Sequence, residues 1–277
     1  MTGNRPVEVV LVDGNKCLPD DPIVSGNSLA LLRGEGVFES FLVVDGKPPE
    51  NMNRHAERLR QSAKLLGFQG SIPDLTQAFL QLLPSIGQGS WRVRFSLYRQ
   101  DDAGALPVWT AGLAGPPPEE VDVCLSTLRR DPQNPLARAK TISRAGEQWA
   151  SREARAKGAF DALLTTTDGM LAECTSANVL FWNGESLCTP ALDCGILEGT
   201  TRADLLARSS QAGIPVSEGH FPLNELQQAL EVYVTNAVIG VIPIRGVLGL
   251  REDFPGAEGP FLQTLREAYL GRKVFPS

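Results

Sequence analysis

The chain has 277 residues, 42% of them apolar and 21% charged, with 26 Lys and Arg against 32 Asp and Glu for a formal charge of −6. This balance describes a globular protein long enough for about two domains and excludes disordered and fibrous classes. The chain lacks the basic excess that neutralises phosphate backbones, and its apolar stretches stop well short of the ~20 residues of a membrane span, so neither a nucleic-acid nor a membrane partner is expected.

Residues 7–12, ahead of the turn Asp13-Gly14, and 36–44, ahead of Asp45-Gly46, read as strands. Over 54–66 the apolar Leu59, Ala63 and Leu66 recur at helical spacing until Gly67. A second helix over 75–83 leads through Pro84, Gly87 and Gly89 into 91–98, where polar and apolar residues alternate as in a half-buried strand. From Gly115 to Pro135 the texture changes to three consecutive prolines, a short strand over 121–125 and the charged run Arg129-Arg-Asp-Pro-Gln-Asn-Pro135. This stretch reads as a domain boundary: an N-terminal α+β domain over 1–118, a linker over 119–135 and a C-terminal domain over 136–277. Beyond it come a helix over 145–157 and a meander of strands over 162–166, 178–182 and 186–189, with turns at Asp168-Gly169 and Asn183-Gly184. A helix over 201–212 and a strand over 232–235 that runs into Asn236-Ala237 complete the pattern.

No apolar run follows the single charge of the first six residues, so no leader is read and a cytoplasmic setting is expected. Five cysteines without a C-x-x-C pair and two histidines, His55 and His220, argue against a disulfide framework or a zinc site, and no metal is expected. Four other features call for chemistry. Lys140, among small residues just past the prolines, reads by position as a solvated charge sooner than as a Schiff-base lysine. Glu173 and Asn178 lie between two apolar runs, where a glutamate is a rim charge more often than a buried carboxylate. Gly199-Thr-Thr-Arg202 opens a helix, as an ordinary cap or as an anion cradle of free N–H groups. Thr235-Asn-Ala237, after a strand, offers a second set of donors.

Together with Gly34-Glu-Gly-Val-Phe-Glu-Ser40 and Arg54-His55-x-x-Arg58-Leu59, these motifs in this order resemble the class IV, fold-type IV pyridoxal-phosphate enzymes, from residue 34 to about residue 244. The resemblance implies a two-domain α+β fold like that of D-amino-acid aminotransferases, with a pseudo-barrel C-terminal domain and pyridoxal 5'-phosphate in the interdomain cleft. It implies that Lys140 bonds to the cofactor aldehyde and then moves protons. Glu173, supported by Asn178, would face the pyridine nitrogen, and Arg54, Thr200, Thr201, Thr235 and Asn236 would hold the phosphate. His55 would have a supporting role. Family members are typically homodimers, so a homodimer acting on a small molecule is expected.

Within the family, Arg144 four places after Lys140, the Glu173-Cys-x-x-Ala-Asn-x-x-Phe-Trp182 run and the hydroxyl of Ser40 are most similar to bacterial aminodeoxychorismate lyases, grouped with the carbon–carbon lyases of folate biosynthesis. Ser40 replaces a threonine in that pattern, and Arg99-Gln-Asp-Asp-Ala-Gly104 stands where a turn with Arg-Gly-Tyr is expected. Arg92, Arg94, Arg99 and Arg144 are therefore the candidates for binding a dicarboxylate, with a solvated sheet face as the alternative for Arg92 and Arg94. The other readings are a class IV aminotransferase acting on a branched-chain or D-amino acid, and a protein that keeps the fold without catalysis.

Overall fold

A computed structural model describes residues 6–69, 71–101 and 104–270, so the amino-terminal stretch is seen only from Pro6 and the 99–104 turn without residues 102 and 103. The chain divides into two compact units: Met1–Pro116 with Ala139–Arg144, and Pro117–Arg138 with Ala145–Ser277.

The first unit holds β1 (Val9–Val12), β2 (Asn15–Cys17), α1 (Leu29–Arg33), β3 (Gly36–Val44), α2 (Met52–Leu65), α3 (Leu75–Leu82), β4 (Ser90–Arg99) and β5 (Ala105–Leu113). Its strands form one antiparallel sheet in the order β2-β1-β5-β4-β3. Strand β5, which the sequence pattern does not suggest because Pro107 and Gly112 interrupt it, is nonetheless central, paired along its length with β4. Side-chain alternation divides the sheet into two faces. Val37, Phe41 and Val43 of β3 and Val93, Phe95 and Leu97 of β4 are fully buried. On that face the Phe41 ring lies 5.1 Å from His55, 6.2 Å from Phe79 and 6.3 Å from Trp109, and so joins β3 to α2, α3 and β5. Trp109 is thus core.

Glu39 points into the same apolar layer, with no exposed surface. Two side chains of α2 meet it: Arg58 donates from Nε at 2.8 Å and Nη2 at 2.7 Å, and His55 Nδ1 lies 2.6 Å from Oε2. Burial by itself raises a carboxyl pKa, but the charge and hydrogen bonds of Arg58, with those of His55, bring Glu39 down to about 2. His55 therefore has a hydrogen-bonding role inside the unit.

The second unit holds β6 (Val121–Arg130), α4 (Ala145–Ala156), β7 (Asp161–Thr166), β8 (Leu171–Cys174), β9 (Asn178–Trp182), β10 (Leu187–Pro190), α5 (Thr200–Gln211), β11 (Val216–Gly219), α6 (Leu223–Gln228), β12 (Glu231–Asn236), β13 (Gly240–Leu248) and α7 (Pro260–Tyr269). Its sheet runs β11-β10-β9-β12-β13-β6-β7-β8, and β8 pairs back to β9, closing a ring. Strands β7, β8 and β10 are buried along their whole length, as strands covered on both faces must be. Alternation along β9 sends Val179 and Phe181 into one core with Val234 and Ile242, and Leu180 into another with Leu205 of α5 and Leu265 of α7.

Two boundaries differ from the sequence reading. The expected linker over 119–135 contains β6, twice the length of the strand expected there, which lies parallel between β13 and β7. Its charged end, Arg129 and Arg130, looks like loop only until its ladder with Thr165 and Thr166 is seen. Residues 139–144, expected in the C-terminal domain, pair instead with β3 of the first unit. Phe38 N–H donates to Lys140 O and Ile142 N–H to Gly36 O, both at 2.9 Å. Gly36 is required there, since a Cβ would lie 2.7 Å from Ile142 Cδ1 and 2.8 Å from Leu97 O. Among the described residues no helix is long and apolar enough to cross a membrane.

Because the Glu39 pKa is lower in the folded chain than the ordinary 4.5, its contribution to stability is complete above about 4.5 and is lost as pH falls toward about 2. Glu39→Gln leaves Arg58 buried beside a neutral group and is expected to cost about 3–5 kcal/mol in denaturant unfolding at neutral pH. The variant's acid unfolding should also flatten across that pH window.

Candidate active site

In the second unit the ladder brings three of the predicted residues into one row: Glu173 on β8 pairs with Asn178 on β9, which pairs on its other side with Thr235 on β12. Directly opposed residues share a sheet face, so these side chains are neighbours by construction. Glu173 is 4% exposed. Its Oε1 accepts from Arg130 Nη2 at 2.7 Å, and its Oε2 from Asn178 Nδ2 at 3.1 Å and from Leu197 N–H at 3.2 Å. Arg130 also reaches Glu147 of α4, with Nη1 at 3.0 Å from Oε1. A buried carboxylate surrounded by donors, with one guanidinium as its counter-charge, is therefore held at a fixed angle. Arg130 was not visible as a site residue in the sequence, because it stood in the expected linker; the signal was a charged pair ending an otherwise alternating strand.

Asn178 serves Glu173 and also donates to Leu197 O at 2.9 Å, so it ties β9 to the segment before α5. There Gly199 is the N-cap of α5, and a Cβ on it would lie only 1.9 Å from Asn178 Oδ1. Thr200 and Thr201 follow, both buried in the first turn. Thr235 Oγ1 donates to Gly240 O at 2.8 Å. The Asn236 side chain shapes the β12–β13 turn, accepting from Val238 and Ile239 N–H at 2.9 and 3.0 Å and donating to Ser176 O at 3.1 Å.

The first unit carries the other predicted residues, and the β3–β4 register sorts them. Ser40 lies opposite Arg94, Phe38 opposite Ser96 and Leu42 opposite Arg92, all on the face away from the core. The Arg94 guanidinium lies over the Phe38 ring at 3.6 Å, and its Nε donates to Ser96 Oγ at 3.0 Å. Lys140 sits over the same ring, Nζ at 4.7 Å from its centroid, while its backbone N–H donates to Ser62 Oγ of α2 at 3.0 Å. Phe38 thus carries two cations, an arrangement that aromatic faces favour. Burial, with the charges of Arg144 and Arg92, outweighs the pull of Tyr98 and lowers the Arg94 pKa below its ordinary value. The guanidinium groups of Arg92 and Arg144 thus lie near enough for their charges to act on Arg94.

Arg99 does not belong to that face. It alternates to the opposite face of β4, where Nη1 donates to Glu35 Oε2 at 2.7 Å and Leu66 O at 3.2 Å and Nη2 to Gly67 O at 2.5 Å, closing the end of α2. Arg54 is exposed on α2, whereas Arg58, one turn later, is the buried arginine of that helix.

The chain belongs to the class IV aminotransferase family, whose description "Amino-transferase class IV" matches residues 36–247. It is 28% identical over 251 residues to the aminodeoxychorismate lyase of Bacillus subtilis strain 168, covering 85% of each chain. It is 26% identical over 278 residues to a D-alanine aminotransferase of Listeria monocytogenes, covering 94% of each. In fold it resembles the branched-chain amino acid aminotransferase of Escherichia coli, with a TM-score of 0.85 and 22% identity over 96% of this chain and 94% of that one. The architecture is the mixed α+β fold of fold-type IV enzymes, and the protein is an enzyme of this pyridoxal-phosphate-dependent family.

The donor set of the second unit fits that cofactor. Glu173 is a buried carboxylate whose neighbours Arg130, Asn178 and Leu197 all donate to it, the chemistry needed to receive a pyridinium N–H. The α5 start, kept slim by Gly199 and lined by two buried threonine hydroxyls, suits a phosphate.

Replacing Arg130 by methionine leaves Glu173 and Glu147 without their shared counter-charge. The expected loss is about 3–5 kcal/mol of stability, read from the denaturant midpoint, with Arg130→Lys recovering part of it.

Proposed function

We propose that this enzyme is a 4-amino-4-deoxychorismate lyase, releasing 4-aminobenzoate and pyruvate. The observation that carries the reading is the sheet face of the first unit, where Arg94 lies opposite Ser40 and shares the Phe38 ring with Lys140, with Arg92 and Arg144 close enough for their charges to act on Arg94. The substrate has two carboxylates, one on its ring and one on its enolpyruvyl ether. Clustered guanidinium groups suit such a dianion better than the single carboxylate of an aliphatic amino acid. The similarity to the Bacillus subtilis lyase supports the same reading.

The bound cofactor supplies a covalent hold on the substrate amine and a ring that takes up electrons. Lys140 would hold the cofactor through its aldehyde, and its amine would take the proton from the amine-bearing carbon of the substrate. The carbon–oxygen bond to the enolpyruvyl group would then break, the departing oxygen taking back the proton that Lys140 removed, either from Lys140 directly or through the Ser40 hydroxyl, which is reprotonated by Lys140. Enolpyruvate becomes pyruvate in solution, and aromatisation of the ring makes the step irreversible. Glu173, held by Arg130 and supported by Asn178, would hold the pyridine nitrogen. Thr200, Thr201 and the backbone of Thr235 and Asn236 bind the phosphate. Arg54, exposed on α2, is proposed for the same phosphate by the resemblance, while Arg58 one turn later is buried against Glu39.

The second reading, transamination of a D- or branched-chain amino acid, rests on relatives of similar identity with that activity. A homodimer is proposed by family likeness, with the exposed Leu31 and Leu32 of α1 as apolar surface it could cover. A cytoplasmic setting suits five cysteines that are all free.

Purified enzyme given aminodeoxychorismate should release 4-aminobenzoate and pyruvate in equal amounts. Lys140→Ala should abolish turnover, and Ser40→Ala should slow it by about 10²–10⁴-fold, the usual worth of a positioned proton donor. Rapid conversion of D-alanine or leucine with a keto acid, and no 4-aminobenzoate, would establish the aminotransferase reading instead.

A further inference from the structure

We propose that Asp193, Cys194 and His220 form a binding site for a divalent transition-metal cation of the zinc type, built where the carboxyl ends of β10 and β11 lie side by side. These strands run parallel with Pro190 opposite Gly219, so the residues that follow them leave the sheet together. After β10 the chain makes a short 3-10 turn over Leu192–Cys194, closed by Gly195 in the left-handed conformation at φ 71°. After β11 comes His220. One ligand atom from each of the three side chains lies within 4.8 Å of the others. His220 Nε2 is 2.8 Å from Asp193 Oδ1, and Cys194 Sγ is 3.9 Å from Gly219 O.

The ligand types and spacing suit the metal. Zinc bonds of about 2.0–2.3 Å to nitrogen, oxygen and sulfur put tetrahedral ligand atoms about 3.5 Å apart, a spacing small side-chain rotations reach from here. Thiolate and imidazole together select zinc-like cations over magnesium or calcium, which prefer oxygen alone. The thiol comes from a rigid base, since Cys194 is 2% exposed and packs with Ala172 and Ile196. The Asp193 and His220 side chains are more than half exposed, which leaves the cation an entry path and a place for a water as fourth ligand.

The surroundings are anionic. Met170 bridges to Pro222, which brings the turn after β7 beside His220, and in that turn Asp168 is fixed by Thr166 Oγ1 at 2.5 Å. On binding, the Sγ–H proton passes to solvent as the metal–sulfur bond forms, with no change of oxidation state. The sequence held no signal for this site, because its ligands are an adjacent pair and one distant histidine.

Cobalt(II) added to the purified, cofactor-loaded enzyme tests the proposal. The expected result is one equivalent bound, with a thiolate-to-cobalt band in the near ultraviolet and the visible bands of a tetrahedral ion, all displaced by zinc. Cys194→Ser should remove the thiolate band, and His220→Gln and Asp193→Asn, both at exposed side chains, should each weaken binding at least about tenfold. Circular dichroism and the cofactor spectrum confirm that each variant is folded. No thiolate band in the parent enzyme, or a band that survives in Cys194→Ser, would overturn the site, as would unchanged affinity in both surface variants.

Discussion

A carboxylate can leave water only if donors and a counter-charge replace what the solvent supplied, and each unit of this protein is organised around one such group. In the first, Glu39 of β3 draws Arg58 and His55 of α2 onto the sheet, so the helix that covers the aromatic core is also keyed to it electrostatically. In the second, Glu173 of β8 gathers Arg130 from β6, Asn178 from β9 and the backbone before α5. Apolar packing tolerates small slips of one element along another. A two-point arginine–carboxylate contact does not, and it fixes the register in which the elements meet.

The two carboxylates do different work. Glu39, enclosed by its partners with no exposed surface, is structural. Glu173 lies in a row of polar side chains that runs across three strands and is continuous, through Asn178, with the start of α5. The same ring of strands that buries it also limits how it can turn. This is preorganisation in its plain sense: the orientation of a charge is settled during folding and not at the moment of reaction.

A fold shared by lyases and aminotransferases does not choose between them. The proposed lyase reading rests instead on side chains of one face of the first unit's sheet, where the Phe38 ring lies beneath Lys140 and Arg94. A chain with a net charge of −6 can thus still bring several arginines close to one another locally. Net charge describes long-range behaviour; the field at a site is set by the few groups nearest to it.

Helix and strand periodicity, turn glycines and the ordered motifs around Gly34, Lys140, Glu173, Gly199 and Thr235 were legible in the sequence, and with them the family and most of the elements. Local patterns suffice there because a helix or a half-buried strand is encoded by residues a few positions apart. Strand β5 was hidden by its proline, and the second half of β6 by a charged end that only its ladder with β7 explains. Tertiary structure alone decided that Lys140 travels with β3, that Arg99 closes a helix and stays off the arginine face, that Arg130 is the partner of Glu173, and that Cys194 meets His220. Each of these depends on hydrogen bonds, ladder pairing or close contact between residues brought together by strand order, and strand order is set by packing of the whole sheet, which no local stretch of sequence contains.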